Sequence, residues 1–475
     1  MNHVLLVAIY ALQISSAILA VGLFKKGDQP LNVFLWTTSG QVVLFGLTVW
    51  GISVASIVFQ YMKSRQTRIS AFRVTTAIGV MPIMIAWLTA EVSIRLLSTS
   101  SAYGETVLGL HLRPRVWEDQ IERSKEILKR LSEGEGYLQH DKGLGWSIRP
   151  NHQSADGMYS SSEEGIRSPR PYLSMVTQES GGRIALVGDS FTFGEEVRYE
   201  ETWAYFLSQY LEGERQVLNY GVPGYGLDQA YLRYLRDVRP LHADIVVLGV
   251  ISHDIERTMT VYNFISFPEW GFPFAKPRFT FNTDELVVLN SPVPSPEVII
   301  KSNSIEELPF IAYDRGFNKA EWERTWLDVS YLFRFMTSKF PRWPVRKAEI
   351  SDDTRLFLNS AIMVKIVNAI KEDGSLPVVV YFPTHGTFLR MSSEKMVNRQ
   401  ELALDVLEQS RVQYTDLTSC VMHVRDSERF VTSTHHYSPQ TNKRVAKCIA
   451  EDIADMGSGS TELRGSSREA SFTRS

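Results

Sequence analysis

The 475-residue chain predicts an α/β protein: a parallel sheet covered by helices on both faces, preceded by a membrane region of about three helices. Two observations carry this. Five short apolar, β-rich runs alternate with helix-like periods between residues 183 and 455, and such alternation builds a parallel sheet with helices on either side. Upstream, three long runs are apolar and free of charge.

The first of these runs, Val4 to Phe24, matches the ~20 helical residues that a bilayer core requires. It lacks the basic start and small-residue cleavage site of a signal peptide, and further spans follow. A charge-free stretch from Gln29 to Met62 contains the second, and "VTTAIGVMPIMIAWLTA", Val74 to Ala90, forms the core of the third. Its Pro82 is a kink that neighbouring helices can accommodate. The expected spans are about 4–24, 38–62 and 74–97, with few charges inside them, which argues against a transport path. Lys63, Arg65, Arg68 and Arg73 lie between spans two and three, whereas the preceding loop has Lys25 and Lys26 beside Asp28. Basic loops stay cytoplasmic, so the long C-terminal part is expected on the extracytoplasmic, periplasmic side of an inner or plasma membrane.

A helical connector is expected over 99–136, because "RPRVWEDQIERSKEILKRLSEG" spaces its apolar residues like an amphipathic helix. In the main domain, 137–455, the expected strands are "RIALVG", "RQVLNYG", "ADIVVLGVI", "LPVVVYF" and "VQYTDLT". "ETWAYFLSQYL", "LDQAYLRYLRDV", "RLFLNSAIMVKIVNAIKE", "KMVNRQELALDVLEQS" and "PQTNKRVAKCIAEDIAD" are the expected helices. Between the third and fourth strands an insertion, about 256–348, carries a hairpin pattern turning at Asn282-Thr283-Asp284. Its Phe264, Phe267, Trp270, Phe272 and Phe274 suit core packing better than a ligand site. The tail 456–475 is rich in Ser and Gly and is expected to be disordered.

Fifty basic and 53 acidic residues leave a net charge of −3, which argues against nucleic-acid binding. The only two cysteines, Cys420 and Cys448, cannot make a disulfide framework or the usual zinc ligand set. One bridge between them is open if that region lies outside the cytoplasm. No cofactor or metal site is expected.

Chemistry-bearing residues gather where strands end, the edge at which open α/β sheets bind ligands. Ser190 follows the first strand in "IALVGDSFTFGEEV", where its hydroxyl suits either a nucleophile or a helix cap. Gly-x-Ser-x-Gly does not occur, which excludes the usual α/β-hydrolase elbow. "VLNYGVPGYGLDQ" places Gly221, Gly224 and Gly226 after the second strand, either for backbone approach to a ligand or for a turn. His253-Asp254 follows the third strand, His385 the fourth, and His435-His436 precedes the last helix.

This constellation resembles the SGNH (GDSL-type) hydrolase superfamily, over roughly Tyr137 to Asp455. The resemblance implies a flavodoxin-like three-layer α/β/α fold with a five-strand parallel sheet. It also implies Ser190 as nucleophile, His436 as base with His435 as the other candidate, and Ser190 and Gly224 N–H groups as oxyanion donors. His253 stands where the family has an asparagine donor, and Asp189 and Asp254 fall on the oxyanion and substrate side. The aspartate two or three residues before the family's histidine has no counterpart here, leaving Asp254, Asp416 or Asp426 to supply a carboxylate from elsewhere. The lead-in "GLGWSIRPNHQSADGMYSSSEEGIRS" is similar to that of membrane-associated, polysaccharide-modifying members. What the resemblance implies is a membrane-anchored serine esterase or O-acyltransferase on acylated carbohydrate, served by the bilayer and by a membrane-bound acyl-donor protein as partner. A degenerate member that binds glycan or an assembly partner is the alternative. The topology makes a direct expectation: a reporter active only in the cytoplasm, fused after residue 455, stays silent, and reporter activity there overturns it.

Overall fold

The computed structural model describes residues 86–101, 104–177, 181–266, 273–340, 352–391, 401–431 and 435–457. The first two expected spans, the first half of the third (74–85) and the tail from residue 458 lie outside the described residues. Among the described residues no helix is long and apolar enough to cross a membrane. The chain divides into two compact units, residues 1–119 with 319–347, and residues 120–318 with 348–475.

In the first unit, residues 86–97 are helical. Glu91 on that helix accepts hydrogen bonds from Ser330 Oγ, Tyr331 N and Leu332 N at 2.8, 2.9 and 2.8 Å. Its carboxylate thus satisfies the open N–H groups at the start of the helix Tyr331–Lys339. A carboxylate engaged in this way is part of the folded first unit. A three-stranded antiparallel meander follows, Ser98–Ser101, Gly104–Val107 and Leu110–His111. The all-helical connector was too simple: its helix is confined to Trp117–Ser132. The Ser/Thr/Gly-rich "STSSAYGETV" gives the meander little apolar alternation, so strand pairing there leaves no clear mark in sequence.

The second unit contains the sheet. Its strands are β1 (Gly182–Val187), β2 (Arg215–Asn219), β3 (Ile245–Val250), β4 (Leu376–Tyr381) and β5 (Tyr414–Asp416). They pair in parallel in the order β5-β4-β3-β1-β2, the flavodoxin-like order. The helices used below are α1 (Ser190–Phe193), α2 (Trp203–Tyr210), α3 (Leu227–Arg233), α4 (Ser252–Arg257), α5 (Asp352–Glu372), α6 (Leu402–Ser410) and α7 (Pro439–Gly457). Alternate strand residues serve opposite faces. Ala185, Val187, Val246, Leu248 and Val250 pack with α3, α5 and α6, while Ile184, Leu186, Ile245 and Val247 pack with α2 and α7. All six residues of β3 are buried. At ~1.5–3 kcal/mol per fully buried aliphatic side chain, this central strand anchors both layers.

The expected hairpin forms over Arg278–Asn282 and Glu285–Leu289, with Thr283 in the left-handed region at φ 56°. Phe264 and Phe274 are buried, in keeping with packing roles, and Phe267, Trp270 and Phe272 lie outside the described residues. Cys420 and Cys448 form a disulfide that ties the helix Thr418–Met422 to α7.

Strand order 2-1-3-4-5 reverses direction between β1 and β3, and α1 is wedged into that crevice. The wedge needs small neighbours. A Cβ on Gly188 would lie 2.2 Å from Thr192 Oγ1, and one on Gly249 would lie 2.4 Å from the same atom. A Cβ on Gly221 would lie 2.4 Å from Phe193 N. Gly221 therefore serves close approach, but to the protein's own α1 rather than to a ligand. Gly224 serves the turn, at φ 81°, and Gly226 is the extended N-cap of α3. Substituting Gly221→Ala should displace α1 and lower stability by about 1–3 kcal/mol, read as a reduced thermal unfolding midpoint of the full chain; an unchanged midpoint would show that α1 can yield at no cost.

Candidate active site

The chain leaves β1 at Gly188-Asp189 and enters a helix of a single turn. Asp189 is its N-cap, Oδ1 accepting from Phe191 N at 3.0 Å, and Gly194 closes it in the left-handed conformation at φ 77°. The N–H groups of Gly194 and Glu195 both return to Ser190 O, at 3.0 and 3.1 Å. The chain is thereby folded back, and Glu195 and Glu196 come to lie beside Ser190.

His436 arrives from the other end of the sequence. Phe430 and Tyr437 form an antiparallel bridge, Val431 N donates to His436 O at 2.8 Å, and Tyr437 OH donates to Pro383 O at 2.7 Å. Phe191 packs against both rings, its centroid 5.0 Å from that of His436 and 4.9 Å from that of Tyr437. In this frame His436 Nε2 lies 2.9 Å from Ser190 Oγ. On its other side Nδ1 lies 3.3 Å from Glu196 Oε2, which also accepts from the His436 backbone N–H at 3.4 Å. One carboxylate oxygen thus holds both ring and backbone of the histidine. Glu195 Oε2 is 3.4 Å from Nε2, so the two adjacent glutamates address the two nitrogens of one ring.

The electrostatics follow from this enclosure. Burial by itself would lower the His436 pKa, but the hydrogen bond to Glu196 and the negative charges of Glu195 and Asp189 prevail and hold it above the ordinary histidine value. Desolvation pushes Glu195 up, opposed by the attraction of His436 and reinforced by the charge of Asp189. Glu196 has φ 69°, rare for a non-glycine residue. Such a conformation persists only where surroundings over-determine it. Here Glu196 N donates to Tyr159 OH at 2.8 Å, and Arg167 Nη2 donates to Val197 O at 2.6 Å. The Arg167 guanidinium is buried between the rings of Tyr159 and Phe193, 4.5 Å from each centroid. The lead-in segment therefore clamps the loop that carries Glu196.

The same segment fixes the glycine block. Trp146 Nε1 donates to Pro223 O at 3.0 Å and Tyr225 OH donates to Trp146 O at 2.6 Å. Val222 N donates to Gly188 O at 3.1 Å, which sets Gly224 at the carboxyl edge of β1 and β3. The N–H groups of Ser190 and Gly224 have no acceptor among the described residues.

Several expected roles need correction. Asp189 meets Ser190, whose Oγ lies 3.3 Å from Asp189 Oδ2, but Asp189 and Asp254 are engaged mainly with a cation. Both are buried on Arg257, whose Nη1 is 3.3 Å from Asp189 Oδ2, 2.8 Å from Asp254 Oδ1 and 2.9 Å from Tyr225 O. Burial and then the charge of Asp189 push Asp254 well up. Arg257 sits between two carboxylates that could not otherwise be buried together, and no motif in the sequence marks it. Asp254 Oδ2 also accepts from Ile251 N at 3.0 Å, leaving it no part in orienting His436. Asp416 is engaged by the residue that opens the next helix, accepting from Thr418 N and Oγ1 at 2.8 and 2.6 Å. Asp426 is exposed and pairs with Arg429 at 2.7 Å. The carboxylate beside His436 is instead that of Glu196, six residues after Ser190. His435, at φ 66°, stacks on His385 with centroids 4.0 Å apart and does not meet Ser190. His253 is exposed on the first turn of α4, at the edge that also holds Ser190.

No family model and no curated protein matches the chain. Solved structures similar to it include a lipase/acylhydrolase from Enterococcus faecalis, 11% identical, covering 58% of this chain and 96% of that one at a TM-score of 0.31. An acetylxylan esterase from Geobacillus stearothermophilus is 12% identical, with coverage of 58% and 96% and a TM-score of 0.30. At those scores the likeness carries no weight by itself. The strand order is flavodoxin-like, and Ser190 and His436 meet at the carboxyl edge of its sheet.

Because the base must be neutral to accept a proton, activity should rise with pH as His436 passes through its raised pKa. Glu196→Gln removes the charged hydrogen-bond partner that contributes to raising it, while Glu195 and Asp189 remain. The acidic limb of the pH–rate profile should therefore move to lower pH, and kcat should fall by ~10²–10⁴. An unmoved limb in the variant would remove Glu196 from its assigned role.

Proposed function

We propose that the chain is a membrane-anchored, extracytoplasmic serine esterase or O-acyltransferase that removes or transfers acyl groups, acetyl among them, on carbohydrate. The observation that carries the catalytic part is the relay Ser190 Oγ, His436 Nε2, His436 Nδ1, Glu196 Oε2, at 2.9 and 3.3 Å.

In this mechanism Ser190 Oγ attacks the acyl carbonyl as its proton passes to His436 Nε2. Glu196 orients the ring and stabilises the imidazolium. The Ser190 and Gly224 N–H groups receive the developing oxyanion, and removing one such donor typically costs ~10²–10³ in rate. His253 is the candidate third donor. Collapse of the tetrahedral intermediate releases the alcohol, which takes the proton from His436, and Ser190 is left as an acyl ester. Water or a sugar hydroxyl then attacks that ester, gives its proton to Nε2 and releases Ser190.

The binding-only alternative starts from two departures, His253 in place of an asparagine and the missing aspartate; Glu196 beside His436 supports the catalytic reading on the second. Location outside the cytoplasm is supported by the loop charges between the expected spans and by the Cys420–Cys448 disulfide, since such bonds persist mainly in oxidising compartments. The carbohydrate substrate and the acyl-donor partner rest on the resemblance of the lead-in segment. The decisive experiment is labelling of the purified full-length protein with a fluorophosphonate, beside Ser190→Ala and His436→Ala. Strong label on the wild type and little on either variant is expected; equal labelling of wild type and Ser190→Ala overturns the proposal.

A further inference from the structure

We infer that Glu195 forms an acceptor subsite that favours a vicinal diol, as found on sugars and other polyols, over a simple monohydric alcohol. The inference rests on the acyl-enzyme chemistry proposed above and concerns only its second half.

His436 Nε2 is the nitrogen through which protons move. It receives the Ser190 proton in acylation, and in deacylation it must receive the proton of whichever hydroxyl attacks the acyl ester. That hydroxyl has to dock at Nε2, and Glu195 Oε2 is already 3.4 Å from that atom. An ionised carboxylate only accepts hydrogen bonds. An attacking molecule that brings a second O–H can place one on Nε2 and the other on Glu195. A vicinal diol does so, and water does so with its two hydrogens. A monohydric alcohol has only the hydroxyl that reacts, and its carbon chain would cover the carboxylate without satisfying it, which is costly.

The approach route agrees with this. Ser190 is only 4% exposed, and the His436 and Glu196 side chains are 14% exposed each, whereas the Glu195 side chain is 32% exposed. Of these four groups, Glu195 is the one most open to solvent. Glu196 cannot take the same part, because its Oε2 is engaged by Nδ1 and the backbone N–H of His436.

The reaction balances without a further reagent. The acceptor O–H proton goes to Nε2 as its oxygen bonds to the acyl carbon. The bond from that carbon to Ser190 Oγ breaks, and Oγ takes the proton back from Nε2. The acyl group ends on the acceptor, and Ser190 is regenerated.

The test uses the full-length protein with p-nitrophenyl acetate as donor, and propane-1,2-diol or propan-1-ol at equal concentration as acceptor. Release of p-nitrophenol reports acylation, while the acetate and acetyl ester formed report its fate. The wild type should acetylate the diol at least about tenfold faster than the monohydric alcohol. Glu195→Ala should reduce this ratio to about two, the factor given by two hydroxyls in place of one. Glu195→Gln, which keeps a neutral acceptor oxygen, should fall between. A merely structural role for Glu195 would slow both transfers together and leave the ratio unchanged, and an unchanged ratio overturns the inference. Release of acetate alone, with neither alcohol acetylated, overturns it as well. If p-nitrophenol release does not depend on Ser190, it is the catalytic proposal that fails, and the inference goes with it.

Discussion

The site depends on one reversal of the backbone. A helix of a single turn follows β1, and Gly194 ends it in the left-handed conformation, so Glu195 and Glu196 return to the side of Ser190. Had the helix continued, those carboxylates would point away along its axis, and His436 would have no acid. The short helix in turn requires the crevice between β1 and β3 to be free of side chains, which is why Gly188, Gly221 and Gly249 surround it. Strand order, glycine placement and catalytic geometry are thus one constraint seen at three scales.

The lead-in segment gives that reversal its rigidity. Tyr159 and Arg167 hold the acid loop, and Trp146 holds the glycine block through Pro223 and Tyr225. Beneath the nucleophile, Arg257 binds Asp189, Asp254 and the carbonyl of Tyr225, joining the ends of β1 and β3 to the loop after β2. Buried charge of this kind is weak as a source of stability, but it specifies geometry, because removing any member leaves an uncompensated charge. The positive φ of Glu196 is tolerated because these contacts leave the loop no other course.

Much of this was legible beforehand. The five strands follow from apolar β-rich runs, since a sheet covered on both faces needs strands with little alternation. The hairpin at Asn282-Thr283-Asp284 was marked by its turn residues. Ser190 stood out because a serine after a buried strand faces the ligand edge, and "HHYSP" stood out because two histidines precede the last helix. The meander at 98–111 was hidden by its weak pattern. The pairing of Asp189 and Asp254 with Arg257 was hidden because sequence shows a carboxylate near a site but not the arginine that neutralises it.

What the sequence by itself determined is the sheet, its helical layers and the strand ends at which reactive residues collect, because hydrophobic period and turn chemistry are local properties. What only the tertiary structure decided is the partnership at His436. The acid belongs to "GEEV", about 240 residues upstream, and register with the histidine cannot reveal a contact made by folding the chain back at Gly194. The choice of His436 over His435 is of the same kind: two adjacent side chains leave the backbone in different directions, and the bridge between Phe430 and Tyr437 sends His436 to Ser190 and leaves His435 stacked on His385.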